Sequence, residues 1–333
     1  MIKATKRIAA VFILLSVFAV STNSIKAENF SENNLIFLCF GQSNMEGNAQ
    51  PRDIDRTGVS NRFMKMYCAD SDGSNKGKWA TAYPPLCRKN TGLTPVDYFG
   101  RYLCDSLDTK YTIRVIVVAV AGCSIKLFDK DEYKSYISSA ADWMKNIAND
   151  YGGNPYGRLI SLAKEAQKTG VIKGILFHQG ETDAYNDEWI TSTNKVYRNI
   201  LKDLNLSADT VPMLVGGVVH QDQNGACSGA NNTIQKLCSK YSTIHYISSS
   251  GCTAASDRLH FNAAGYEKIG KRYGAKMFDL LKTAGYDTQT AVESPVSNNK
   301  LTNESPIYNI NGQQLAQPAD GINIINGSKY IFK

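Results

Sequence analysis

Leu35-Ile-Phe-Leu-Cys-Phe-Gly-Gln-Ser-Asn-Met-Glu-Gly47 is the stretch on which the fold turns. Six consecutive apolar residues close at Gly41 and hand over to a short polar turn carrying one hydroxyl, Ser43. A run of that length, apolar on both faces and stopped by glycine, reads as a fully buried strand of a parallel sheet. Ligands of such sheets bind beyond the carboxyl ends of the strands, which is where this turn falls. Gly41 permits a tight strand-to-helix turn that exposes the Ser43 hydroxyl, and a following helix start favours negative charge beside it.

Outward from this stretch, apolar runs at 113–120, 171–177 and 211–219 alternate with helix-like patterns, and 62–67 and 243–247 read as weaker strands. Amphipathic helices are expected over 155–168, 187–204, 233–240 and 262–282. Alternation of this kind specifies an α/β protein with a parallel, doubly wound sheet. There is no internal repeat.

The N-terminus carries Lys3, Lys6 and Arg7, then an apolar stretch from Ile8 to Val20, then small and polar residues up to Ala27. That order predicts a secretory signal peptide over 1–27, too short in its apolar part to span a bilayer, where about 20 residues are needed. The whole chain has 37 Lys and Arg against 30 Asp and Glu. Four of those cations (Lys3, Lys6, Arg7, Lys26) lie in the leader, so the mature balance is 33 against 30, or +3. Near-balance gives no electrostatic footprint for nucleic acid or, once the leader is removed, for a membrane surface.

Export permits the eight cysteines to pair. Cys39, inside the first strand, and Cys123, beside a turn, read as small buried hydrophobes, whereas Cys68 with Cys87, and Cys227 with Cys252 or Cys238, are candidate loop staples. No cysteine or histidine spacing matches a zinc site, so neither metal nor cofactor is expected. Residues 28–284 form one domain large enough for a substantial core. A polar linker follows over 285–305, and a tail over 306–333 alternates apolar residues with Asn-Gly turns, as hairpin strands do. The tail is either an accessory hairpin, packed on this domain or between the subunits of a homo-oligomer, or a sorting signal, since it resembles the C-terminal tails of type IX secretion cargo.

Four motifs end or flank strands: Gly41-Gln-Ser-Asn44, Ala121-Gly-Cys-Ser124, His178-Gln-Gly-Glu181 and Asp257-Arg-Leu-His260. A hydroxyl, an imidazole and a carboxylate are the parts of acyl transfer, and the strand ends of one parallel sheet edge meet in space. Ser43 is the candidate nucleophile and His260 the candidate general base. Asp257, three residues before His260, and Glu181, with a longer reach from another strand end, compete to orient the imidazole. Asn44 is placed to brace the nucleophile turn. His178 is expected to point away from the site, His220 to line the cleft and His245 to be structural. Trp79, Tyr83 and Tyr98 are candidates for a sugar-stacking wall.

Over roughly 35–281 these motifs, in this order, resemble the SGNH hydrolases, and within them the family 6 acetylxylan esterases and the sialate O-acetylesterases, which share the GQSN and HQGE motifs. The resemblance implies a three-layer, flavodoxin-like fold on a mainly parallel five-stranded sheet. It also implies an oxyanion hole from the backbone N–H groups of Ser43 and Gly122 and the side-chain amide of Gln179. By resemblance the chain is a secreted serine esterase that removes O-acetyl groups from plant polysaccharide such as acetylxylan. The alternatives are a sialate O-acetylesterase, with the same chemistry on another sugar, and a glycan-binding module without turnover.

Overall fold

The computed structural model describes residues 28–185, 187–289, 306–309, 312–319, 321–325 and 328–332. The expected leader lies outside these residues, as does the expected linker beyond residue 289. Seven strands make the main sheet: β1 (Asn34–Gly41), β2 (Phe63–Met66), β3 (Trp79–Thr81), β4 (Thr112–Ala119), β5 (Val171–His178), β6 (Met213–Gly216) and β7 (Ile244–Ile247). Their order is β3-β2-β4-β1-β5-β6-β7, with every pairing parallel except that of the edge strand β3. The expected five strands are therefore a correction. The missing edge, β3, is three half-buried residues inside a polar stretch and carries no apolar run to announce it. The expected strand over 62–67 shortens to β2, and that over 243–247 forms as β7 on the opposite edge.

The helices are α1 (Ser43–Glu46), α2 (Pro95–Ser106), α3 (Tyr133–Ser139), α4 (Asp142–Asn149), α5 (Pro155–Gln167), α6 (Glu188–Asp203), α7 (Ala230–Lys240) and α8 (Ala263–Thr283). The four expected helices appear as α5, α6, α7 and α8, with bounds shifted by at most three residues. α2 is an addition, although Thr94 and Asp97 form a capping box around Pro95 at its first turn. α1 is a single turn, so no long dipole points at the nucleophile.

Every residue of β1 is buried, and its side chains alternate between two helical layers. Phe37 meets Phe99 of α2 edge-on at 5.0 Å, on the face that α2 and α8 cover together. Phe40 points the other way, against Phe177 of β5 (4.5 Å) and Phe128 (5.1 Å), while Phe177 stacks on Trp189 of α6. Each such ring contributes about 1.5–3 kcal/mol relative to exposure. The three layers are thus α2 and α8, the sheet, and the α5 and α6 side. A second, antiparallel sheet lies in the tail, where β8 (Ile307–Asn309), β9 (Gln314–Leu315), β10 (Gly321–Ile325) and β11 (Ser328–Phe332) run in the order β11-β10-β8-β9.

The central place of β1 positions everything that follows. From β1 the chain passes through β2 and β4 on one side, then crosses to β5, β6 and β7 on the other. The ends of β4 and β5 therefore flank the end of β1, and loops leaving in opposite directions open a crevice there.

Gly41 makes that crevice close-packed. Its φ is +151°, and a Cβ at this position would lie 2.0 Å from the His178 carbonyl oxygen, which accepts from Gln42 N–H at 3.0 Å. Backbone of a neighbouring strand has no room to yield. Gly41→Ala should lower unfolding free energy by about 3 kcal/mol or more. Urea denaturation measures this, and a midpoint equal to wild type would refute the close-approach argument.

Candidate active site

Ser43 opens the single turn α1 directly beyond β1, and 93% of its surface is covered. His260 lies just before α8, in the loop 254–262. That loop is shaped by its own backbone: Ala255 N–H donates to the His260 carbonyl (2.7 Å), Arg258 N–H to the Ala255 carbonyl (3.0 Å), and Arg258 takes a left-handed φ of +58°. The two side chains meet across the crevice, with His260 Nε2 2.9 Å from Ser43 Oγ. On the other side of the ring, His260 Nδ1 lies 2.7 Å from Asp257 Oδ2. A charged carboxylate can only accept, so Nδ1 carries the proton and Nε2 is left to accept from the Ser43 hydroxyl.

Asp257 divides its two oxygens. Oδ2 serves the ring, while Oδ1 accepts from the backbone N–H groups of Leu259 (2.9 Å) and His260 (3.0 Å). Partial burial disfavours its charge, but the bonds from the His260 ring and from these two amides outweigh that, and its carboxyl is held below the usual carboxylate range.

Glu181 sits elsewhere. It is buried, its Oε1 accepts from Asn44 Nδ2 at 2.6 Å, and burial raises its carboxyl above the ordinary range despite that bond. It also lies 3.9 Å from His178 Nε2. His178 itself is fully buried, as strand alternation implies, with desolvation lowering its ring to about 3, so it stays neutral. Of the two competing acids, the one in contact with His260 is Asp257.

Asn44 joins the pieces. Its Nδ2 donates to Glu181 and to the Leu259 carbonyl (3.1 Å), while its Oδ1 accepts from Phe261 N–H (3.3 Å) and Tyr266 O–H (2.8 Å). One side chain from the nucleophile turn thus fixes the Glu181 loop, the histidine loop and α8.

The expected oxyanion donors separate into two groups. Among the described residues, the N–H groups of Ser43 and Gly122 donate no hydrogen bond, and Gly122, at φ +65°, turns the loop beyond β4 beside the nucleophile. The Gln179 amide is not open in this way, which corrects the expectation. Its Nε2 donates to the Asp183 carboxylate and to the Cys123 carbonyl (3.2 Å), its Oε1 accepts from the Trp189 indole N–H (2.5 Å), and it has no exposed surface. Gln179 therefore braces the loops after β4 and β5.

Three residues outside the four motifs' expected roles also shape the site. Glu46, three positions after Ser43, is buried; its Oε1 accepts from Arg88 Nη2 (2.6 Å) and from Ala121 N–H (3.3 Å), so it holds the Gly122 loop to the nucleophile turn. Asp183 accepts from Ser124 Oγ (2.5 Å) and Ile125 N–H (2.9 Å), pinning the same loop from the β5 side. Glu46 lay within the quoted stretch and its spacing could have marked it. Arg88 and Asp183 had no signal beyond type.

Other expectations end differently. Tyr98 is buried, donating to Asp55, and Trp79 packs on the Arg114 guanidinium (5.2 Å) near the start of β4, so neither offers a face for sugar stacking, whereas Tyr83 is 45% exposed. His220 pairs with Asp222 (3.2 Å), and His245 is half-buried in β7. All eight cysteines are free, and Cys87 Sγ instead contacts the Tyr151 hydroxyl at 3.2 Å, so the candidate staples are absent. Among the described residues no group of three or more His, Cys, Asp or Glu could hold a metal ion, and no helix is long and apolar enough to cross a membrane.

Residues 33–279, most of the chain, match the family described as "Carbohydrate esterase, sialic acid-specific acetylesterase". The chain belongs to this family of carbohydrate esterases. Two solved structures share the fold. A protein from Arabidopsis thaliana is 19% identical with a TM-score of 0.57, covering 74% of this chain and 98% of its own. NanS is 13% identical with a TM-score of 0.54, covering 76% and 99%. The protein is therefore an SGNH-like carboxylic ester hydrolase that removes O-acetyl groups from carbohydrate.

For this carbohydrate esterase the geometry assigns unequal weight to the two acids. Asp257→Asn should lower kcat on a small acetate ester by about 10³–10⁴-fold, because an amide no longer fixes the Nδ1-protonated ring. Glu181→Gln retains an oxygen for Asn44 and should stay within about tenfold of wild type. Steady-state kinetics on both variants decide the matter; the reverse ranking would overturn the assignment.

Proposed function

We propose that Ser43, His260 and Asp257 are the catalytic triad of an exported acetylesterase acting on plant polysaccharide such as acetylxylan. The observation that carries this reading is the continuous line of hydrogen bonds from Ser43 Oγ through the His260 ring to Asp257. Ser43 Oγ attacks the acetyl carbonyl while His260 Nε2 takes its proton. Asp257 steadies the imidazolium that results. The carbonyl oxygen, now negative, receives the N–H groups of Ser43 and Gly122, each such donor contributing about 100 to 1,000-fold in rate. As the tetrahedral centre collapses, His260 returns the proton to the departing sugar oxygen and an acetyl-Ser43 ester remains. Water then enters, gives a proton to His260, and the reverse sequence frees acetate and the serine.

Export rests on the leader pattern read in residues 1–27, which suits a polymeric substrate outside the cell. A second reading, O-acetylated sialic acid as substrate, is favoured by the family description. Both readings use the same triad and differ in the sugar alone.

Acetate release from acetylxylan, from acetylated xylo-oligosaccharides and from 9-O-acetyl sialic acid separates them, with the first two expected to turn over faster. Ser43→Ala should lower every rate by at least about 10³-fold. Turnover surviving that substitution removes Ser43 from the chemistry, and faster release from the sialic acid ester replaces the polysaccharide reading with the second.

A further inference from the structure

One wall of the crevice has no role in the chemistry above. α4 buries Met144 and Ala148 but leaves the Trp143 side chain 53% exposed, among the few large apolar side chains on the surface. The indole is not loose decoration. A Cβ on Gly122 would lie 2.8 Å from Trp143 Cη2 and 3.6 Å from Cζ2, so the edge of the six-membered ring abuts Gly122, the second oxyanion donor of the proposed mechanism. The exposed remainder of the ring stands at the rim.

One turn further along the same helix, Asn146 and Ile147 lie on the face that Trp143 begins. Together with Asn149, Asp150, Asp70 and Arg88 they line a shallow, solvent-open depression of about 360 Å³, on the volume scale of a single sugar-sized ligand, ~300 Å³ and up. Arg88 ties this cavity back to the nucleophile, since its Nη2 holds Glu46, three residues from Ser43, at 2.6 Å. Platform and cavity thus share α4, and Arg88 links the cavity to the nucleophile turn.

We infer that Trp143 and the cavity between α4 and Arg88 form a glycan subsite, which seats an uncharged sugar unit next to the acetylated one. The inference rests on the esterase reading above and extends it to substrate selection. A flat indole face suits the C–H surface of a pyranose ring, and the two asparagine amides supply donors and acceptors for its hydroxyls. The charges in the lining are already committed. Arg88 pairs with Glu46, Asp70 with Lys76 (2.7 Å) and Arg158 (2.9 Å), and Asp150 accepts from Ser71 N–H and Oγ (both 2.7 Å). The one cation in the lining, Arg88, is neutralised by the Glu46 carboxylate, and the two lining carboxylates Asp70 and Asp150 disfavour a sugar carboxylate.

The test compares an acetylated xylo-oligosaccharide with phenyl acetate, which is too small to reach the subsite, using wild type, Trp143→Ala, Trp143→Phe and Asn146→Ala. Trp143→Ala should raise KM for the oligosaccharide about tenfold with kcat within about twofold, so that the ratio of kcat/KM for oligosaccharide over phenyl acetate falls about tenfold. Trp143→Phe, keeping a flat ring, should recover most of that ratio, and Asn146→Ala should lower it about threefold. Equal losses on both esters would show that Trp143 only props the Gly122 loop and would overturn the subsite. A wild type that cleaves phenyl acetate but no neutral acetylated oligosaccharide would overturn the substrate reading and the subsite with it, whereas loss of phenyl acetate cleavage in Ser43→Ala tests the esterase chemistry separately.

Discussion

The carboxamide of Asn44 is the joint on which the site depends. A primary amide offers two hydrogens and two lone pairs, and here all four are engaged: with Glu181, the Leu259 carbonyl, the Phe261 N–H and the Tyr266 hydroxyl. The residues it gathers come from the turn after β1, the loop after β5, the loop bearing His260, and α8. Buried networks of this kind are strong when complete and expensive when broken, because no water waits to replace a lost partner. A hydroxyl and an imidazole 217 positions apart stay 2.9 Å from each other because the residue adjoining the first holds the backbone on both sides of the second.

Around that joint the work divides between rigid backbone and buried acids. The sheet supplies the crevice by placing β1 between β4 and β5, and Gly41 lets the strand end come within contact of the His178 carbonyl. Three buried or partly buried carboxylates then hold the loops at working distance: Glu46 anchors the loop after β4 to the nucleophile turn, Asp183 anchors it to the loop after β5, and Glu181 secures Asn44. None of the three touches the His260 ring through a hydrogen bond. Their task is position, and it leaves Asp257 as the acid at the ring.

Much of this was legible in the residues. The apolar run ending at Gly41 located both the central strand and the serine turn, because burial on two faces and a glycine stop leave little else for such a segment to be. The spacing of Asp257 and His260 put both in one loop. What could not be read was of two physical kinds. β3 has three residues and α4 eight, so each is too short to stand out from a polar stretch, and nothing in the residues around Trp143 separates it from Trp79 or Tyr98 as an aromatic at the crevice. Gln179 illustrates the second kind. Its motif marks it for the site, but whether its amide faces the crevice or the interior is decided by Asp183 and Trp189, four and ten residues on, whose side chains return to meet it only after the loop has folded.

Asp257 and His260 bond to each other through one loop of four residues, by way of ring and backbone alike. The proton placement on the imidazole is therefore settled inside a single rigid unit, with no contribution from the distant serine. Asn44 sets how near the base comes to its alcohol while the four-residue loop sets the tautomer, so the approach of base to nucleophile and the readiness of the base to accept a proton are fixed by separate parts of this architecture.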